Sequence, residues 1–322
     1  MRILIKICSI IMAIIPSWIL SMPLFLFLKK KQEQVYKREF VNILSSALKL
    51  DGNIEGDGEL PKGLQRELMP RHVAMILDGN RRWAKKRGLI PVEGYEAGLA
   101  TLGEIITLCR RWNIPIISLF MFSSENWLRP KVSLISKDFL CSFHLHSIKD
   151  ILDEVDFLLE LFEGSLKYYL LRNCRRYGGR VSVIGDRSPL SDSLRKAVEE
   201  IEEETKDYKG IHLVLAMSYS GQNDIVHACQ NIATKVKDGL LQPEDITKSL
   251  FEEHLQTNVT DMPLPDLLIR TSGELRISNY YLWQSAYSEM YFTDTLWPDF
   301  GEDEFVKALR SYQQRGRRFG RA

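Results

Sequence analysis

Short apolar runs that alternate with longer stretches of helical periodicity constrain this chain more than any other feature of its sequence. The runs fall at residues 73–77, 116–122, 181–184 and 212–217, with shorter ones at 267–269 and 290–292. Helical patterns occupy 94–112, 155–173, 189–207, 222–237 and 244–255. The alternation predicts an α/β fold, a single domain with a mostly parallel central sheet flanked by helices. Ser188 and Asp224 are expected near helix starts, where a short polar side chain accepts from a free amide. The acidic run 199–204 reads as the solvated face of one helix.

Sheets of this kind take their ligands at the carboxyl ends of the strands, so polar motifs should follow the apolar runs. They do. The first run ends in Asp78-Gly79-Asn80-Arg81-Arg82-Trp83, and the second in Ser123-Ser124-Glu125-Asn126-Trp127-Leu128-Arg129-Pro130. The fourth ends in Ser218-Tyr219-Ser220-Gly221. The fifth ends in Arg270-Thr271-Ser272-Gly273-Glu274, followed by Leu275-Arg276-Ile277-Ser278-Asn279, and the sixth begins with Glu289. Four loops sharing Arg, Ser, Asn and a carboxylate on one edge suggest an anionic ligand.

Gly79 permits close backbone approach. The helix start after it, with Arg81 and Arg82, suits phosphate oxygens. Asp78 beside a phosphate would need a cation between them, and Mg²⁺ held by one carboxylate plus phosphate oxygens meets that need. The competing reading makes Asp78 a plain helix cap and leaves the arginines solvated. Arg270, Arg276 and Ser278 could hold a second phosphate group, or form an ion-paired surface loop. The basic end 315–321 could close on an anionic site or remain a solvated tail.

Other chemistries are excluded by pattern. The chain has no GxxxxGK[ST], no G-x-G-x-x-G after a strand, no GxSxG elbow and no DDxxD pair. His144 and His146 lack company for a metal. With 43 Lys+Arg against 42 Asp+Glu, the net charge of +1 argues against a nucleic-acid partner. The five cysteines form no CxxC and read as reduced thiols.

The N-terminus differs from the rest. Residues 7–28 carry no charge and are followed by Lys29-Lys30-Lys31. About 20 apolar residues cross a bilayer, so residues 1–31 are expected to be a hydrophobic membrane anchor or targeting segment. A cleaved signal peptide and an amphipathic transit peptide fit the pattern less well. Read as a span, the flanking lysines leave the main domain cytosolic, with the endoplasmic reticulum as the expected membrane. Residues 32–68 read as a short amphipathic helix and a Gly- and Asp-rich linker, and 69–322 as the folded domain.

The blocks from His72 to Lys85, Phe122 to Pro130, Pro265 to Glu274, Arg276 to Asn279 and Leu296 to Phe300 resemble the cis-prenyltransferases. That family includes undecaprenyl and dehydrodolichyl diphosphate synthases and plant short-chain relatives. The lead-in before His72, Gly94-Tyr95-Glu96-Ala97-Gly98 and the Arg-Thr-Ser-Gly-Glu form look most like plant members. The resemblance implies condensation of isopentenyl diphosphate with an allylic diphosphate to give a Z-polyprenyl diphosphate, with release of diphosphate. It implies Mg²⁺ at Asp78, completed by Glu289 across a homodimer interface. Gly79, Asn80, Arg81 and Arg82 would cradle the allylic diphosphate, with Trp83 and Tyr95 beside it. Ser123, Ser124, Glu125, Asn126, Trp127 and Arg129 would organise both substrates, Asn126 as proton acceptor. Arg270, Arg276, Ile277 and Ser278 would hold isopentenyl diphosphate, and Arg318 and Gly320 would close on it. The growing hydrocarbon would need an apolar tunnel, one wall falling at 155–162.

Several departures matter. Tyr95 stands where many members have His, and Pro91 replaces an Arg. Ser218 and Gln222 replace a common Asn and Arg. Met121 stands where a small residue is common, which predicts shorter products. Residues 133–153 are an atypical insertion beside the site, and Val132-Ser133 could be encoded by a splice-donor sequence, so a retained intron or a gene-model error is expected. The alternative function is a non-catalytic or impaired subunit of a heteromeric cis-prenyltransferase. The alternative compartment is the plastid, because plant relatives of this type are often plastidial.

Overall fold

The structure is a computed structural model that describes residues 58–128 and 154–317. The proposed anchor at 7–28, the insertion at 133–153, Arg129, Arg318 and Gly320 lie outside the described residues.

Six strands form one sheet: β1 (His72–Ile76), β2 (Ile116–Ser123), β3 (Arg180–Ile184), β4 (His212–Tyr219), β5 (Leu267–Arg270) and β6 (Glu289–Phe292). Their order is β3-β4-β2-β1-β5-β6, and every neighbouring pair is parallel. Helices α1 (Asn80–Lys86) and α2 (Pro91–Arg111) connect β1 to β2. Helix α3 (Glu154–Gly164), a π-helical turn (Ser165–Leu170) and α4 (Leu171–Tyr177) precede β3. Next come α5 (Asp192–Thr205), α6 (Gly221–Lys237), the short α7 (Lys248–Glu253) and α8 (Glu302–Gln313).

All residues of β1, β4 and β5 are buried, as expected of parallel strands covered on both faces. On one face Val73, Met75, Ile117, Leu119 and Ile269 pack against α2, α5 and α8. On the other, Ala74, Ile76, Val214 and Leu268 meet Tyr219, Tyr280 and Tyr281. The order β4-β2-β1-β5 makes the four motif-bearing strands contiguous, so their loops share one edge.

Helix α1 lies close on α2 because two glycines leave room. A Cβ at Gly94 would overlap the Asn80 carbonyl, and one at Gly98 would overlap Asn80 Oδ1. Asp224 lies in the first turn of α6 as expected, but the capping residues are others. Ser191 and Ser220 cap α5 and α6, each accepting from an amide three residues on. Ser188 instead donates its amide to Asp186. Asp224 is buried and accepts from the Tyr219 hydroxyl and the Gln284 amide. The acidic run is only partly solvated: Glu202 accepts from the Val183 amide and Arg187, and Glu204 pairs with Arg175. Among the described residues no helix is long and apolar enough to cross a membrane.

Candidate active site

Asp78 is the centre of the edge. Its amide and carbonyl both meet the Thr271 hydroxyl, at 3.0 and 2.6 Å, and its carbonyl also accepts from the Trp297 amide at 3.0 Å. The backbone is therefore pinned by the loops after β5 and β6. The carboxylate accepts from Arg270 Nη2 at 3.0 Å on Oδ2 and pairs with Arg82 Nη2 at 3.1 Å on Oδ1. Burial pushes this carboxyl upward, but Arg270 and Arg82 outweigh it and hold Asp78 below the usual carboxylate range. Asp78 does not cap α1. Gly79 does, at φ +114°, a conformation open to glycine, and a side chain there would press Leu296.

The two arginine sets divide. Arg270 has only 5% of its side chain exposed and also donates Nη1 to Ser278 Oγ and to the Arg276 carbonyl, both at 2.6 Å. Its buried Nε has no protein partner. Arg276 is 62% exposed and pairs with Glu274. Arg276 is thus an exposed, ion-paired loop residue, whereas Arg270 is buried at the edge. Arg82, 44% exposed, donates to the Ser272 carbonyl, Ser272 Oγ and Glu274 Oε1. Glu274 therefore bridges Arg82 and Arg276, one on each side of the loop. Arg81 lies on the exposed side of α1.

A second cluster follows β2. The Ser123 hydroxyl donates to Asn126 Oδ1 at 2.6 Å. Trp127 Nε1 donates to Ser218 Oγ at 2.9 Å, with the indole edge-on to Phe122. Glu125 accepts from Asn279 Nδ2 at 2.8 Å. Burial raises the Glu125 carboxyl, yet bonds from its own amide, Asn279, Ser123 and Ser124 leave it below its ordinary value.

The remaining expected residues make other contacts. Trp83 donates Nε1 to Asp299 at 2.7 Å and carries the Arg87 guanidinium 4.2 Å over its ring, while Arg87 also pairs with Asp299. Tyr95 packs with Val92, Leu99, Leu158 and Leu161. Ile277 packs on the tyrosine-rich face. Glu289 opens β6 in register with Leu267, three residue steps or about 10 Å upstream of the Ile76–Arg270–Phe292 row. Asp78 lies beyond that row, and Glu289 pairs with Arg315. A single chain therefore does not bring Asp78 and Glu289 together. Among the described residues, no three His, Cys, Asp or Glu side chains gather as a metal site. Thr271, Ser272, Glu274, Ser220 and Asn279 are not singled out from sequence, though each lies in a quoted motif after a strand.

The chain is similar to known proteins over most of its length. A family model described as "Putative undecaprenyl diphosphate synthase" matches residues 76–152 and 139–320. Cis-prenyltransferase 4, chloroplastic, of Solanum lycopersicum is 51% identical over 280 residues, covering 87% of this chain and 83% of the relative. The chain belongs to the cis-prenyltransferase family. A dehydrodolichyl diphosphate synthase of Solanum lycopersicum, also named chloroplastic, is 49% identical over 83% of this cis-prenyltransferase and 78% of its own length. The crystal structure of lavandulyl diphosphate synthase from Lavandula x intermedia, in complex with dimethylallyl diphosphate, superposes with a TM-score of 0.70. It is 40% identical and covers 79% of this chain and 99% of that one. Likeness at this level makes the protein an enzyme of the prenyltransferase class. It also corrects the expected compartment. The chloroplastic relatives overturn the endoplasmic-reticulum placement with a cytosolic catalytic domain and favour a plastid. The earlier placement rested only on lysines flanking 7–28, and such a charge bias orients a segment only if it spans a membrane.

Proposed function

We propose that this cis-prenyltransferase joins isopentenyl diphosphate to an allylic diphosphate of the dimethylallyl type and serves Z-polyprenyl diphosphate synthesis in a plastid. In that reaction the allylic C–O bond breaks, a C–C bond forms, one proton leaves the isopentenyl carbon, and diphosphate departs. The observation that carries the reading is the ion-paired centre Asp78–Arg270–Arg82 at the shared strand edge. Arg82, with Asn80 and Arg81 on α1 after Gly79, offers donors to the allylic diphosphate. Arg270, Arg276 and Ser278 offer a second set to isopentenyl diphosphate. Arginine donors fixed before the reaction stabilise charge that develops on the departing diphosphate. Ser123 and Asn126 form the polar pair assigned to the proton.

Asp78 fits one Mg²⁺ contact, being an ionised oxygen donor with 31% of its side chain exposed at the edge. When bound, Mg²⁺ would supply charge neutralisation on the diphosphate. Glu289 could add a ligand only from a second copy, which is consistent with a homodimer. Residues 1–31 are proposed as the targeting segment and 69–322 as one catalytic domain. The tunnel would run along the face where Met121, Leu158 and Leu159 pack against the main core.

The charge arrangement favours a second reading, a non-catalytic or impaired subunit of a heteromeric enzyme. Both Asp78 oxygens are taken by arginines, Glu289 is paired with Arg315, and no metal-ligand cluster forms among the described residues. Incubating the purified chain with isopentenyl diphosphate, Mg²⁺ and dimethylallyl diphosphate separates the two. Product from the chain alone supports a self-sufficient enzyme. Product only after a partner subunit is added supports the second reading, and no product in either case refutes both.

A further inference from the structure

We propose that Asn279 is the positioning residue that locks the isopentenyl-diphosphate half of the edge to Glu125; this rests on the function proposed above. Its carbonyl and both ends of its side-chain amide are bonded, to two other segments. Its carbonyl accepts from the Gly221 amide at 2.8 Å, and its Oδ1 accepts from the Gln222 amide at 2.9 Å. A backbone amide can only donate, so that bond fixes the side-chain orientation and turns Nδ2 the other way. Nδ2 then donates to Glu125 Oε1 and to Ser220 Oγ, each at 2.8 Å.

The loop after β2, the start of α6 and the loop after β5 therefore meet at one amide. Asn279 follows Ser278, whose hydroxyl receives Arg270, so its placement sets where Arg270 points. Its φ of +60° lies in the left-handed region, which asparagine tolerates better than most residues. The contacts on Arg82, to Ser272 and Glu274, do not pass through it. Asn279 should thus govern one substrate and spare the other.

Asn279→Asp tests this with little change of shape. It keeps the acceptor for Gln222, removes both donors and sets a carboxylate against Glu125. Calorimetric titration with Mg²⁺ should show isopentenyl diphosphate binding weakened by about tenfold or more, with dimethylallyl diphosphate binding unchanged. Asn279→Gly, which keeps the backbone conformation, should show the same selectivity. Adding Glu125→Gln to Asn279→Asp returns a donor from the other side, and the Ser220 hydroxyl can rotate to donate; binding should recover. Equal loss for both diphosphates, or no loss, overturns the proposal. If the unsubstituted chain binds neither diphosphate, the proposed function fails and takes this inference with it.

Discussion

Arg270→Met should be the most damaging single change at the site, and its cost can be worked from the contacts. The substitution keeps an apolar stem in a site with 5% side-chain exposure but removes three donated bonds. It leaves Ser278 Oγ and the Arg276 carbonyl without that donor, and Asp78 with Arg82 alone. Removing one partner of a buried pair costs about 3–5 kcal/mol. Asp78 is partly exposed, which screens its share, so the lower end of about 3 kcal/mol is expected. For a domain of this size that lowers Tm by about 6–12 °C. The pH dependence should change with it. In the folded chain Asp78 titrates below its ordinary value of 3.8, so it binds fewer protons than the unfolded chain does. Its contribution is complete above that ordinary value and is lost as pH falls through the lower folded value. In Arg270→Met the burial penalty persists while the Arg270 hydrogen bond, the largest effect opposing it, is gone, so this acid-side loss should shrink or reverse. Urea unfolding between pH 3 and 7 measures both effects, taken as ~1 unit either side of the carboxylate range and up to neutrality. Asp78→Asn with Arg270→Met should cost less than the sum of the two changes, because neither leaves the other's charge exposed in the site. An additive result, or a loss under about 1 kcal/mol for Arg270→Met, would refute the reasoning.

Three further outcomes follow from other contacts. Gly98→Ala should displace α1 from α2, costing about 1–3 kcal/mol in urea unfolding and weakening allylic diphosphate binding, since its Cβ would overlap Asn80 Oδ1. Met121→Ala should lengthen products, read by sizing the chains formed; an unchanged distribution would show that Met121 does not limit length. Sequencing transcripts should find forms that lack the codons for 133–153, and the protein without them should turn over faster; the segment in every transcript would end the retained-intron idea.

The strands were legible because parallel strands buried on both faces read as unbroken apolar runs. The sharing of one edge followed from the motifs that end them. Helix α8 was not, since it follows the last strand and closes no alternation. Arg270 and Arg276 look alike in sequence, six residues apart, yet one is buried between Asp78 and Ser278 and the other is exposed. Arg270 ends β5 in register with Ile76, whereas Arg276 lies in the loop beyond it. The sequence left Asp78 as either a cap or a ligand site; Gly79 takes the cap position, and the Asp78 carboxylate turns to Arg270 and Arg82. The role of Asn279 depends on three loops distant in sequence, and no local pattern announces it.

Asp78 at the meeting point of both arginine sets is the central claim. It is tested most directly by titrating dimethylallyl diphosphate with Mg²⁺ into the chain and into Asp78→Ala, and by assaying product formation from both, with a partner subunit present if one is needed. Binding and turnover should fall by about two to three orders of magnitude in Asp78→Ala. Binding and turnover undiminished in that variant would contradict the account.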